Sequence, residues 1–387
     1  ITALLYSLLL SACKNDSPEK VDATEDDKTA KEEIETPQKK SLINDSLNAL
    51  INISAGIKDD HSQFNWLKEK EDFKTFSSNF DQKWLEFTAN RLTKLIDFRK
   101  SEIDPLITQQ STLFYPFSGP DILYAQTFFP KADKYVLLGL EPVGSLPIFS
   151  ENTDLKAYFN KVNTSLHAIL NYSFFRTKSM HNDLRNQEVD GTLHLILLFL
   201  KRQGNLMHSV EPIKIDSTGQ IVYLNDFKFS LNTEKETAGV EIKFEDKEGN
   251  PKSLFYYSLN AADGALATNK GFVNYINNLG EINTYLKGAT YLMHKSYFSQ
   301  VRNAILKQSK HVVQDDSGIA LKYFTKDQNT WTYAFFGEYT KPINLFSNHY
   351  QKDLDSLYKT QGSKDIGFGI GYNFMDKNSN FMVITKK

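Results

Sequence analysis

The sequence predicts an α/β protein with a single mixed-sheet body, β-hairpin insertions and an N-terminal helical subdomain. Apolar residues recur at helical spacing between residues 41 and 110. A strand, a short helix and a second strand follow between residues 113 and 140. Hairpin signals and further helical patterns are then interleaved up to residue 387, which favours one α/β body over residues 111–387. With 40% hydrophobic residues, the chain can fill a core of this size.

Residues 1–12, ITALLYSLLLSA, form an uncharged apolar run that ends in two small residues directly before Cys13. This is the pattern of a signal peptide. A transmembrane helix needs roughly 20 apolar residues, and charged residues begin at Lys14. The sequence therefore predicts a signal peptide over residues 1–12 rather than a membrane span.

Residues 13–40 are predicted to be a disordered acidic tether. After Cys13, nine acidic and six basic residues occupy positions 14–40, with Val21 and Ile34 the only bulky aliphatic residues. Such a composition cannot bury enough apolar surface to offset the entropy lost on ordering. The segment is therefore expected to link the amino terminus to the folded body.

The stretch Leu10-Ser11-Ala12-Cys13 resembles the lipobox of bacterial lipoproteins, and Cys13 is the only cysteine in the chain. The acidic residues soon after it resemble the surface-export signal of Bacteroidota lipoproteins. These resemblances imply a diacylglycerol on Cys13, anchoring in the outer membrane of the cell envelope and exposure at the surface. Residues 111–387 also resemble an uncharacterised family of bacterial envelope proteins.

The helical subdomain is predicted from an apolar stripe whose members are spaced mostly three to five residues apart. The stripe consists of Phe73, Phe76, Phe80, Trp84, Phe87, Leu92, Leu95 and Ile96. We expect one long helix that ends near Pro105, because the residue before a proline is biased away from helical geometry. The aromatic residues are interpreted as core.

The passage from Leu113 to Leu140 predicts a parallel β-α-β unit. Residues 113–117 form the first strand, residues 122–129 a short helix closed by Pro130, and residues 135–140 an apolar strand covered on both faces.

The remaining elements are predicted from periodicity and turn signals. Helices are expected at residues 155–175, 192–202, 272–279, 284–308 and 345–359, hairpins around residues 217–220 and 248–251, and strands at 321–324, 331–336, 366–372 and 381–384.

The turn after the first predicted strand is a candidate ligand site made of Ser118, Gly119, Asp121 and Glu141. Gly119 would let a ligand approach the backbone, and Glu141 stands at the end of the next strand, about 20 residues on. This arrangement resembles the opening of a class I methyltransferase, which implies a nucleotide site. However, Pro120 lacks an N–H group for a phosphate, and a protein outside the cytoplasm would meet little S-adenosylmethionine. No cofactor is predicted.

Asp315 and Asp316 are candidate catalytic residues, together with Glu338 beside Gly337 at a strand end. Adjacent carboxylates can share a proton, since like charges push their pKa values apart. The alternative is a helix end followed by a turn in which the aspartates bond to backbone N–H groups. The eight histidines show no paired-ligand spacing, so no metal site is predicted. His294 is interpreted as a structural histidine rather than a general base.

Two functional hypotheses follow. The first is a non-catalytic envelope lipoprotein that contacts the membrane through lipidated Cys13 and is either a structural protein or one that binds a ligand or partner. The second is a lipid-anchored hydrolase that uses carboxylate catalysis. Binding of nucleic acid is disfavoured, because 45 Lys plus Arg residues stand against 47 Asp plus Glu.

Overall fold

The computed structural model describes residues 42–109, 111–172, 190–229, 235–325, 330–374 and 379–387. The predicted signal peptide at residues 1–12, the predicted lipidation site Cys13 and the predicted tether at 13–40 lie outside the described residues. Residues 42–387 form one compact unit.

Within the described residues, ten strands form a single mixed sheet, which confirms the predicted fold class. The strands are β1 Ser111–Tyr115, β2 Ala132–Gly139, β3 Leu206–Ile215, β4 Ile221–Tyr223, β5 Thr237–Glu245, β6 Pro251–Ser258, β7 Ile282–Leu286, β8 Ser309–Gln314, β9 Trp331–Gly337 and β10 Asn380–Lys386. Their order across the sheet is β4-β3-β5-β6-β2-β1-β7-β8-β10-β9.

The centre of the sheet is parallel and its two flanks are antiparallel. Strands β6, β2, β1, β7 and β8 run in one direction. The predicted hairpins flank this centre on one side, where β3 pairs with β4 and β5 pairs with β6. On the other side, β10 is antiparallel to both β8 and β9. The β-α-β prediction is confirmed, because a helix at residues 122–128 connects the parallel strands β1 and β2.

Helices cover both faces of the sheet. They are α1 Asp45–Ser54, α2 Asn65–Lys68, α3 Glu71–Phe87, α4 Thr93–Phe98, α5 Ile122–Phe128, α6 Leu155–Tyr172, α7 Leu193–Arg202, α8 Asp263–Leu266, α9 Lys270–Asn277, α10 Ser299–Gln308, α11 Leu321–Phe324 and α12 Lys352–Gln361. Successive residues of β1 point to opposite faces, so Leu113 and Tyr115 join one apolar core with α1 to α7. Phe114 joins the second core, which includes residues of α8 to α12.

The predicted long helix near the amino terminus is present. Two π-helical segments, Thr88–Leu92 and Arg99–Ile103, join α3 and α4 into one helical stretch that ends just before Pro105. Its Phe98 ring lies 4.8 Å from the Phe336 ring and 5.8 Å from the Phe381 ring, measured between centroids. The helical segment therefore shares its core with the sheet.

The prediction of one helix over residues 284–308 is wrong for its first half. Residues 282–286 form the buried strand β7, two short 3₁₀ turns follow, and α10 begins at Ser299. All five residues of β7 are buried in the middle of the sheet, and this tertiary position overrides the local pattern.

Three C-terminal predictions are also corrected. Residues 321–324 form the single turn α11 rather than a strand, because the buried residues Leu321 and Phe324 are three positions apart. Residues 366–372 do not form a strand, since Gly367 and Gly371 have φ values of 65° and 64°, outside the strand region. The helix predicted over 345–359 is divided into a 3₁₀ segment, Asn344–His349, and α12.

In the part of the chain that the structure describes, no helix combines the length and apolar character needed to cross a membrane.

Candidate functional site

The parallel strands end at one edge of the sheet, termed the carboxyl edge. The connection from β1 leads through α5 to its neighbour β2, whereas the connection after β6 crosses to β7 on the other side of β1. In open α/β sheets, ligands bind in the crevice outside the carboxyl ends of strands at such a switch point. The predicted residues in the described chain follow strands at this edge: Ser118, Gly119 and Asp121 after β1, Glu141 after β2, Asp315 and Asp316 after β8, and Glu338 after β9.

The turn after β1 closes on the end of β2. The Ser118 hydroxyl donates to the Leu138 carbonyl at 3.2 Å, and the Gly119 N–H donates to the same carbonyl at 3.2 Å. The buried Glu141 carboxylate fills the adjacent space. A Cβ atom on Gly119 would lie 3.6 Å from Glu141 Oε2, and one on Gly139 would lie 2.5 Å from it. The crevice between β1 and β2 is thus occupied by the chain's own side chain.

Asp121 caps α5 and also forms a buried ion pair. Its Oδ1 accepts from the Tyr124 N–H at 3.1 Å. Its Oδ2 accepts from the Tyr115 hydroxyl at 2.9 Å and from Lys287 Nζ at 2.6 Å. Every oxygen of this carboxylate therefore has a donor within the protein.

Lys287 was not identified from the sequence, although it forms the buried ion pair with Asp121 at the carboxyl edge. Its Nζ lies 3.4 Å from the centroid of the Tyr124 ring. Burial lowers the pKa of Lys287 to about 8 and raises the pKa of Asp121, although each partner opposes the shift of the other. Desolvation therefore outweighs the mutual attraction of the pair. Arg91 closes the crevice from the helical segment by donating to the Tyr124 hydroxyl and the Gly369 carbonyl, each at 2.5 Å.

Asp315 holds together the loops after β7 and β8. Its Oδ2 accepts from the Gly288 N–H at 2.8 Å, and its Oδ1 accepts from the N–H and the hydroxyl of Ser317. The Ser317 hydroxyl in turn accepts from the Ala289 N–H at 2.8 Å. Burial, and then the adjacent Asp316 carboxylate, raise the pKa of Asp315. A Cβ atom on Gly371 would lie 2.1 Å from Asp315 Oδ2, so the segment around Gly371 is a close lid on this carboxylate.

Asp316 is satisfied in a similar way. Its Oδ1 accepts from Asn380 Nδ2 at 3.0 Å and its Oδ2 from the Tyr291 hydroxyl at 2.5 Å, while its own N–H donates to Asn380 Oδ1. Burial raises the pKa of Asp316. The helix end that the sequence suggested before these two acids is the end of β8 instead. The bond from the Ser317 N–H to Asp315 Oδ1 agrees with the turn interpretation, whereas the Asp316 carboxylate accepts from two side chains.

Glu338 does not join the buried acids. Its side chain is exposed, and its backbone N–H donates to the Ser379 carbonyl at 3.0 Å. Across the described residues, no group of three or more His, Cys, Asp or Glu side chains could hold a metal ion.

Strained backbone is concentrated in the loops after β1 and β7. Among the described residues, positive φ at non-glycine positions occurs at Phe117 after β1 and at Thr290 and Tyr291 after β7, with values of 62°, 55° and 53°. Such conformations persist where the surroundings fix them, and they cluster at functional sites. Hydrogen bonds from Thr290 to the Tyr372 hydroxyl and from Tyr291 to Asp316 hold this second loop.

Two polar groups, one in β7 and one in the 3₁₀ turn after it, are buried beside this edge. Sequence analysis missed Tyr285 and interpreted His294 as a structural histidine. The Tyr285 hydroxyl is buried without a hydrogen-bond partner in the described structure, and so is Nε2 of His294. Burial raises the pKa of Tyr285 well above its ordinary value. The dipeptide Lys287-Gly288 directly after an apolar Tyr-Leu pair is the local signal that could have indicated a strand end here.

A cavity of about 310 Å³ opens beside the loops after β7 and β8. We call it the His294 cavity. It is lined by His294, by residues 320–322 at the start of α11 and by residues 348–353 at the start of α12.

A second cavity, of about 590 Å³, lies at the carboxyl ends of β2 and β6. Residues 142–144 and 258–260 form part of its wall. Phe227 and Phe229 supply an aromatic side, with ring centroids 6.5 Å apart. Both cavities open at the carboxyl edge, but the predicted ligand residues Ser118, Gly119, Asp121 and Glu141 line neither of them.

No protein-family model and no curated protein matches the sequence. Among solved structures, similarity is found to the plantazolicin methyltransferase BpumL in complex with SAH, at 9% identity, 90% coverage of this chain, 99% coverage of that chain and a TM-score of 0.26. Similarity is also found to BpumL in complex with a pentazolic desmethylPZN analog and SAH, at 10% identity, 89% and 97% coverage and a TM-score of 0.23. TM-scores this low support no inference about shared fold or activity.

Proposed function

We propose that this protein is a lipid-anchored lipoprotein of the bacterial cell envelope whose α/β body binds a ligand or an envelope partner without catalysing a reaction. Anchoring is supported by the lipobox-like stretch before Cys13 and by the charged segment that follows it. Outer-membrane location and surface exposure are parts of the same proposal.

The non-catalytic role is carried by one observation. Each carboxylate oxygen of Asp121, Asp315 and Asp316 accepts a hydrogen bond from the chain itself. The three side chains belong to residues that are no more than 3% exposed. A general acid or base must reach a substrate or an intervening water. Saturated and buried carboxylates serve instead to fix the loops after β1, β7 and β8.

The hydrolase alternative is supported less well. Of its three candidate acids, only Glu338 is exposed, and the two aspartates are bonded inward. Neither of the two cavities is lined by any of these acids. Binding is the function that suits fixed loops around open cavities.

The anchoring part is tested by labelling cells with radioactive palmitate. The wild-type protein should take up label and partition into detergent, because each buried acyl CH₂ contributes about 0.8 kcal/mol. Cys13→Ser should remove both properties. Label on the variant would contradict the proposal.

The binding part is tested by a thermal-shift screen of small molecules and envelope polymers on the full chain carrying Cys13→Ser. A ligand at 100 times its Kd should stabilise the fold by about 2.7 kcal/mol. Turnover of a screened compound that is lost in Asp315→Asn but retained in a variant of an exposed acid would favour the hydrolase instead.

A further inference from the structure

We propose that the crevice at the switch point of the sheet is closed to nucleoside cofactors by two carboxylates of the chain itself, those of Asp121 and Glu141. The switch-point crevice is the space between the turn after β1, which contains Gly119, and the end of β2, which Glu141 follows. The resemblance of this turn to the opening of a class I methyltransferase implies a nucleotide site there. The inference concerns the fit of such a ligand and does not rest on the proposed function.

Glu141 fills the part of the crevice that the sugar of a nucleoside needs. In dinucleotide-binding α/β folds, the ligand passes the glycine turn, and an acid further along the chain accepts from its ribose hydroxyl. Here a Cβ atom on Gly119 would lie 3.6 Å from Oε2, 3.8 Å from Cδ and 3.9 Å from Oε1 of Glu141. A single methyl group on Gly119 would therefore already contact the acid, whereas a sugar ring between the two needs roughly twice that spacing.

The Glu141 carboxylate is also packed against the end of β2. A Cβ atom on Gly139 would lie 2.5 Å from Glu141 Oε2, 2.6 Å from the Tyr256 hydroxyl and 3.0 Å from the Gly119 Cα. The Tyr256 hydroxyl donates to the Glu141 carbonyl at 2.8 Å, and Glu141 is 2% exposed. Because such an interior is close-packed, a small shift of the carboxylate does not make room for a ligand.

Asp121 closes the other part of the crevice, at the start of α5. An anionic group of a cofactor would need free N–H groups there. Pro120 has none, the Gly119 N–H donates to the Leu138 carbonyl, and the Tyr124 N–H donates to Asp121 Oδ1. The anion position is therefore taken by the negative charge of the Asp121 side chain, which would repel a second anion.

The two carboxylates thus exclude a nucleoside cofactor by shape at Glu141 and by charge at Asp121. Neither residue lines the cavity at His294 or the larger cavity at the ends of β2 and β6. A ligand of this body is therefore expected outside the switch-point crevice.

Binding is tested by equilibrium dialysis of the full chain carrying Cys13→Ser against S-adenosylhomocysteine, AMP and NAD in turn. None should bind saturably up to about 1 mM, the upper end of ordinary KM values. Saturable binding that is altered in Glu141→Ala would overturn the inference, since the ligand would then lie in the crevice. Saturable binding that is the same in the variant would support it, because the ligand would lie elsewhere.

Melting temperatures test whether Glu141 fills the crevice. Glu141→Ala should lower the melting temperature by at least about 4 °C, because removal of a buried side chain leaves a cavity. Glu141→Gln keeps the shape and should lower it by less than half as much. Glu151→Ala is the matched control, since Glu151 is an exposed acid in the same connection between β2 and α6, and should shift it by about 1 °C at most. Equal shifts at Glu141 and Glu151 would overturn the inference.

A double variant locates the carboxylate. The methyl group of Gly139→Ala should clash with Glu141 Oε2, so adding Glu141→Ala should make the total loss in melting temperature smaller than the sum of the two single losses. The contacts of the methyl group with Tyr256 and Gly119 remain, which keeps the double variant below the wild type. Strictly additive losses would contradict the closed crevice. A ligand found for either cavity in the broad screen would support the proposed function whatever the result here.

Discussion

Asp121 and Lys287 form an ion pair almost fully removed from solvent, with side chains 2% and 1% exposed. On sequence alone, Asp121 is a first-turn residue whose interaction with the helix dipole is worth at most about 1 kcal/mol. The structure gives it a larger role, because removing one partner of a buried pair leaves the other charge uncompensated.

We therefore expect Asp121→Asn to lower the free energy of unfolding by about 3 kcal/mol in urea titrations. The double variant Asp121→Asn with Lys287→Met should recover part of that loss, because no buried charge remains. Asp154→Asn is the control. Asp154 caps α6 through a 2.9 Å bond to the Ala157 N–H but is exposed, so its loss should stay within about 0.5 kcal/mol. Equal losses at the two sites would show that the pair with Lys287 is unimportant.

Asp315 gives the fold a dependence on pH. Its pKa is raised above the ordinary value of 3.8 in the folded chain, by burial and by Asp316. Between about pH 4 and neutrality the folded state therefore holds more protons than the unfolded state, and this contribution to stability falls as pH rises.

Relative to Asp315→Asn, the wild-type protein should lose stability between about pH 5 and about pH 7 in urea titrations. Asp365→Asn, which changes an exposed carboxylate, should leave the pH dependence of the wild type unchanged. A wild-type profile parallel to that of Asp315→Asn would contradict the raised pKa.

At the scale of elements, the segment at residues 366–373 covers the buried Asp315, and two of its glycines have positive φ. Gly367 and Gly371 have nearly the same φ, 65° and 64°, yet a Cβ atom would meet no atom within 4 Å at Gly367 and Asp315 Oδ2 at 2.1 Å on Gly371. An alanine at Gly367 therefore tests backbone strain alone, whereas an alanine at Gly371 tests the same strain together with a steric clash.

Gly367→Ala should cost about 1–2 kcal/mol, the usual penalty for a left-handed alanine. Gly371→Ala should cost at least about 2 kcal/mol more, since the lid must move away from Asp315. Thermal melts of both variants provide the comparison. Similar melting temperatures would mean that the lid is not tightly seated.

Elements whose signals are local could be predicted from the sequence. The hairpin around residues 217–220 and the β1-α5-β2 unit are defined by turns and short apolar runs within a few residues. β7 could not be predicted in this way, because residues 282–286 adopt the strand conformation through pairing with neighbouring strands. The candidate site shows the same difference between local and long-range signals. Asp121 and Asp315 are conspicuous in sequence, but Lys287 lies 166 positions from Asp121 and only the fold joins them.

At the scale of the whole molecule, the amino-terminal helices and the sheet should unfold together. Phe98 packs its ring on Phe336 and Phe381 from opposite parts of the chain. Phe98→Ala should therefore destabilise the entire body by about 3–5 kcal/mol.

The three tryptophans allow a direct measurement. Trp66 and Trp84 lie in the helical segment, and Trp331 begins β9. A Trp331→Phe variant reports on the helices by fluorescence, and a Trp66→Phe, Trp84→Phe variant reports on the sheet. Adding Phe98→Ala to each should shift the unfolding midpoint equally. Distinct midpoints for the two reporters would show that the helical segment is an independent unit.

The entry point of the chain into the body sets the direction from which any tether pulls. The Asn44 N–H donates to the Met207 carbonyl at 3.0 Å, and Met207 is in register, through β5, with Lys252 near the start of β6. The chain thus enters at the edge opposite to the one that carries the cavities, separated by the length of a strand such as β6, roughly 25 Å. The proposed anchor at Cys13 would act on the body at this entry point, whereas the two cavities open at the opposite edge of the sheet. A pull on the predicted amino-terminal tether would therefore turn the cavities away from the attachment point.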